Sequence, residues 1–74
     1  MQTINKCQFW RRAAEVFCQL RGQKISAGYI ANIYHDSHTS ATEQKRKYVL
    51  LAVAATKRMY KNEGIIVPDL DKQL

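Results

Sequence analysis

The segment from Ser40 to Asn62 constrains this chain most. It runs SATEQKRKYVLLAVAATKRMYKN without a glycine or proline. Ala, Leu, Lys, Arg, Gln and Met dominate it, all good helix formers. Ser40-Ala41-Thr42-Glu43 has the S-x-x-E form of a capping box, so a long helix is expected over 41–62. Its middle, Tyr48 to Ala55, is apolar on every side. A helix of that kind must be covered all round. Whatever fold forms has to be built around it.

The rest of the chain offers limited cover. Seventy-four residues make one domain, and a chain of that size buries only about 60% of its unfolded surface. A second helix is expected over 6–21. Asn5 can cap it with Gln8 reaching back, and Phe9, Ala13, Val16, Phe17 and Leu20 form an apolar stripe. Gln8, Arg12, Glu15 and Gln19 line the opposite side, and Gly22 supplies a left-handed terminator. A shorter helix is expected over 26–35, capped by Ser26 and striped by Ile30, Ile33 and Tyr34. Gly28, the β-branched isoleucines and two tyrosines leave a strand there as the alternative. Asp36 to Ser40 reads as a polar loop.

The expected architecture is therefore all-α: a three-helix domain over 1–64, followed by an extended apolar segment and acidic tail over 65–74. Pro68 forces Val67 out of the helical region, so Ile65-Ile66-Val67 either packs back on the core or pairs as a short strand across a dimer. Two short helices cover only part of the long one. A homodimer follows as an expectation, with Leu50, Val53 and Ala54 contributing to its contact beside the internal core.

Charge placement supplies the functional lead. The net charge is +6, and residues 1–61 carry eleven Lys/Arg against three Asp/Glu. The long helix holds Lys45, Arg46, Lys47, Lys57, Arg58 and Lys61, with only Glu43 and Glu63 nearby. Exposed helices usually mix signs to gain i,i+4 pairs, so such unbalanced cations call for an acidic partner, DNA phosphate or an acidic protein surface. The bland alternative is a solvated face that keeps the helices apart in water. In Phe9-Trp10-Arg11-Arg12-Ala13-Ala14-Glu15, Glu15 is within reach of Arg12 at i+3 and of Arg11 at i+4. One carboxylate cannot neutralise both, which leaves at least one arginine available to a partner. Trp10 reads as a core residue. A helix-turn-helix is not expected, because the loop at 36–40 exceeds the tight turn that motif needs.

No catalytic pattern is present. There is no Gly-rich phosphate loop, G-x-S-x-G, H-E-x-x-H or C-x-x-C, so neither an enzyme nor a cofactor or small-molecule substrate is expected. Cys7 and Cys18 lie eleven residues apart on one expected helix, about 16 Å of rise, too far for a disulfide between them. Their spacing with His35 and His38 fits no compact zinc pattern. No run of about 18 apolar residues exists and the N-terminus lacks a signal-peptide core, so a cytoplasmic protein is expected, not a membrane one.

Two stretches resemble a known family. Phe9-Trp10-Arg11-Arg12-Ala13-Ala14 resembles the aromatic-Arg-Arg-Ala-Ala segment that opens the PerC family of small transcriptional activators. Gln44-Lys45-Arg46-Lys47-Tyr48-Val49-Leu50 resembles that family's basic segment. The resemblance implies a regulator of virulence or phage-linked genes, with Arg11, Arg12, Lys45, Arg46 and Lys47 on the functional surface. The chain also resembles, more faintly, the ANR group of negative regulators, which implies instead a protein target among AraC-type activators. A phage-encoded inhibitor of a host protein fits the same composition.

Overall fold

The computed structural model describes residues 2–35 and 42–68. Three helices pack on one another: α1 over Lys6–Arg21, α2 over Ala27–His35 and α3 over Glu43–Asn62. Local chemistry sets most of their ends. The Asn5 side chain accepts the Gln8 N–H at 2.8 Å and the Gln8 side chain accepts the Asn5 N–H at 3.2 Å, closing a reciprocal capping box. Gly22 ends α1 at φ 73°, and its N–H donates to the Cys18 carbonyl at 2.7 Å. Ser26 caps α2 by accepting the Tyr29 N–H.

The start of α3 differs from the expectation. Its N-cap is Thr42, whose hydroxyl accepts the Lys45 N–H at 3.2 Å, and the helix begins at Glu43. The capping box at Ser40 and the first turn at Ala41 lie outside the described residues, as do His38 and the tail beyond Pro68.

The core is built from one side of each helix. Phe9, Trp10, Ala13, Ala14, Val16 and Phe17 come from α1, Ile30 and Ile33 from α2, and Val49, Ala52, Val53, Thr56 and Tyr60 from α3. The buried arc of α1 is wider than a single stripe because α2 and α3 both pack on it, which takes in Trp10 and Ala14. Leu20, expected in the stripe, is 48% exposed in the last turn of α1. The hydroxyl of the fully buried Thr56 donates to the Ala52 carbonyl at 2.7 Å, so its burial leaves no orphaned donor. Trp10 meets Phe9 edge to face at 5.2 Å and also contacts Tyr34 and His35, tying α1 to the end of α2.

The segment after α3 turns back within the same chain. Gly64, at φ 75°, makes the turn. Ile65–Ile66 (β2) then pairs in parallel with Gln2–Thr3 (β1), Gln2 opposite Ile65 and Thr3 opposite Ile66. This two-residue ladder brings the N-terminus of α1 beside the C-terminus of α3. Ile65 and Val67 are half-buried against the core, so this segment is part of the folded unit and its pairing is intramolecular. No helix among the described residues is long and apolar enough to cross a membrane.

Candidate partner-binding face

The eight cations singled out by sequence occupy five different settings. Arg12 is partly exposed and tied to the end of α3. Its guanidinium meets the Glu63 carboxylate at 2.7 Å and lies over the Tyr60 ring, 4.6 Å from the centroid. Hydrogen bonding to Glu63 raises the Arg12 pKa further, against the opposing effect of desolvation. Of the partners within reach, Arg12 takes not Glu15 at i+3 but Glu63, a tie between α1 and the end of α3. The antiparallel packing of those helices makes that tie possible, and the separation of the two residues in sequence concealed it.

Arg11 is exposed on another side. It lines an open cleft of about 370 Å³ between α1 and the start of α2, with Glu15, Cys18, Lys24 and Ile25. Lys45 lies half-buried, its ammonium 4.8 Å from the Tyr29 ring centroid. Arg46 is half-buried beside a groove of about 210 Å³ formed with Ile33, Tyr34, His35, Val49 and Leu50.

The remaining four share one surface. With 3.6 residues per turn, Lys47, Leu51, Ala54 and Arg58 form one row of α3 and Leu50, Ala54, Lys57 and Lys61 a second. Every residue in both rows is exposed, whereas Val49, Val53, Thr56 and Tyr60 make the buried row. Leu50 is 58% and Leu51 47% exposed, while Val53 is 3% exposed. Of the three residues expected at a dimer contact, Val53 therefore belongs to the internal core, and Leu50 and Ala54 face outward beside Leu51. Leu51 escaped the sequence reading because an all-round apolar helix carries no phase. The cations at 47, 57, 58 and 61 do carry one, since they mark the outward arc and leave 49, 53, 56 and 60 to the core.

The outer face of α3 is thus an apolar centre with a cation at its N-terminal end and three at its C-terminal end. Among the described residues, Lys47, Lys57, Arg58 and Lys61 form no ion pair. Lys57 and Lys61 are i,i+4 neighbours and Arg58 and Lys61 i,i+3 neighbours, spacings at which like charges cost a few tenths of a kcal/mol each. Cations in the first turns of a helix also oppose its dipole by about 0.3–1 kcal/mol. Lys45-Arg46-Lys47 accepts that cost at the start of α3, where Lys45 lies against the Tyr29 ring.

Cys7 and Cys18 are both free thiols. Among the described residues, no three His, Cys, Asp or Glu side chains converge to hold a metal ion. No protein-family profile, curated protein or solved structure matches the chain.

Proposed function

We propose that the protein is a small cytoplasmic transcriptional regulator that acts by binding, through the cation-rimmed outer face of α3, an acidic macromolecule of the transcription machinery. The observation that carries this reading is the set of four exposed cations on one helix face, none of them paired within the described chain. Repulsion within the set costs stability, and an acidic partner relieves it. The PerC-like stretch Gln44 to Leu50 begins this surface. The other PerC-like stretch, Phe9 to Ala14, is accounted for largely by packing: Phe9, Trp10, Ala13 and Ala14 are core and Arg12 is tied to Glu63.

Direct DNA contact is the second reading, favoured by the excess of cations over residues 1–61. A phosphate-binding face loses about 0.9 from its slope of log affinity against log salt for each contact removed.

The test is transcriptome profiling of host cells expressing the wild-type chain or the Lys47→Gln, Arg58→Gln, Lys61→Gln triple variant, with folding checked by circular dichroism. The wild type is expected to shift a defined set of transcripts and the folded triple variant to leave them at the uninduced level. A wild-type profile indistinguishable from an empty vector overturns the reading.

A further inference from the structure

We infer that the outer face of α3 is a docking site for an acidic amphipathic helix of a partner protein. This rests on the reading of that face as the regulator's contact surface and names its occupant. The argument is one of complementarity. Between Lys47 and the Lys57–Arg58–Lys61 cluster lie Leu50, Leu51 and Ala54, exposed and contiguous on the helix surface. Phosphate gains nothing from leucines, and their hydration is relieved only by apolar contact. An occupant must therefore carry apolar side chains at its centre and carboxylates at its ends.

A helix supplies that layout in one element. The face from Lys47 to Lys61 spans about 21 Å, so an antiparallel or parallel partner helix of roughly 15 residues covers it. Apolar residues at i, i+3 or i+4, and i+7 would pack on Leu50, Leu51 and Ala54, with Asp or Glu beyond them at both ends. The groove beside Leu50, bounded by Ile33, Tyr34, His35 and Val49, offers a socket for one larger side chain.

Charge also speaks against a second copy of this chain. Residues 44–62 contain no acid. Packed face to face in parallel, two α3 helices set each cation against its own equivalent. Packed antiparallel, they match Glu43 to Lys61 of the other copy but set Lys47 against Lys57 and Arg58. Either arrangement places like charges directly opposite across an otherwise apolar contact, which selects against self-pairing.

The probe is a synthetic 16-residue helical peptide with leucines at i, i+3, i+4 and i+7 and two glutamates at each end, fluorescently labelled. Its controls are the same peptide with lysines at both ends, and a 20-base-pair duplex DNA. Anisotropy titrations against wild-type protein are expected to show saturable micromolar binding of the acidic peptide only. The Leu50→Gln, Leu51→Gln double variant is expected to weaken that binding at least tenfold, and Lys47→Gln with Arg58→Gln by a similar factor that shrinks at high salt. Three results overturn the inference. One is acidic-peptide binding unchanged by the leucine double variant. Another is absence of peptide binding: with DNA binding retained the broader cationic-surface reading stands, and with neither ligand bound the two fall together. The third is sedimentation showing a wild-type dimer that Leu50→Glu dissociates, which makes the occupant a second copy. Both glutamine variants change exposed positions, and each is admitted only with a wild-type unfolding midpoint.

Discussion

Arg12 and Arg58 are the same residue type on adjacent helices, yet their surroundings differ in kind. Arg12 has a carboxylate at 2.7 Å and an aromatic ring beneath it, and it joins α1 to the last turn of α3. Arg58 has Lys61 one turn away and exposed leucines on its own face. The Arg12–Glu63 pair is partly exposed yet satisfied within the fold, whereas Arg58 lies near other cations and forms no ion pair among the described residues. Counting positive residues therefore says little about function in a chain this basic. Which helix face they occupy, and what already sits beside them, separates structural cations from those available to a partner.

The comparison can be broken most forcefully at the core that both helices share. Phe17 is fully buried, and Phe17→Ala is expected to cost about 3–5 kcal/mol, a large part of the total stability of a small domain. Urea unfolding followed at 222 nm should show a collapsed midpoint or no transition at all. Leu51→Ala, in the same experiment, should move stability by less than about 0.5 kcal/mol because the side chain is 47% exposed.

Arg12→Ala comes next. It removes a largely solvent-screened ion pair, with side chains 31% and 43% exposed, together with a ring contact. The expected loss is about 0.5–1.5 kcal/mol. Most of the ion-pair share should disappear when wild type and variant are compared at high salt. An effect confined to α1, with α3 protection from amide exchange unchanged, would contradict the tie to Glu63.

Glycine substitutions sharpen the contrast at smaller scale. Gly22→Ala forces a side chain into φ 73° and should destabilise by about 1 kcal/mol. Gly28 lies in the first turn of α2 with nothing within 4 Å of an added Cβ, so Gly28→Ala should stabilise by about 0.4–1 kcal/mol. Thermal melts of the two variants should move in opposite directions.

Much of this fold was legible because its signals are local. The Asn5–Gln8 box, Gly22 and Ser26 each fix a helix end through contacts within four residues, and the chain places those ends where the sequence predicts. Tertiary sidedness was less legible. Phe9, Phe17 and the core reading of Trp10 announce an inner face on α1, but its full width, which takes in Ala14, depends on two neighbouring helices packing at once. In α3 the uninterrupted run Tyr48 to Ala55 masked its own phase, so Val53 was assigned outward and Leu51 overlooked. The pairing of Gln2–Thr3 with Ile65–Ile66 and the Arg12–Glu63 contact join opposite ends of the chain, and no periodicity encodes them. The candidate face was half legible: its cations stood out, and the leucines between them became meaningful only once the core had claimed the other side.

The central claim is that Arg12 serves the fold while Lys47, Arg58 and Lys61 serve a partner. The most direct measurement takes Arg12→Ala and the Lys47→Gln, Arg58→Gln, Lys61→Gln triple variant through urea unfolding and titration with the acidic amphipathic peptide, side by side. Arg12→Ala should lose stability and keep wild-type affinity, and the triple variant should keep stability and lose affinity at least tenfold. The reverse pattern, or an equal loss of affinity in both, would contradict the account.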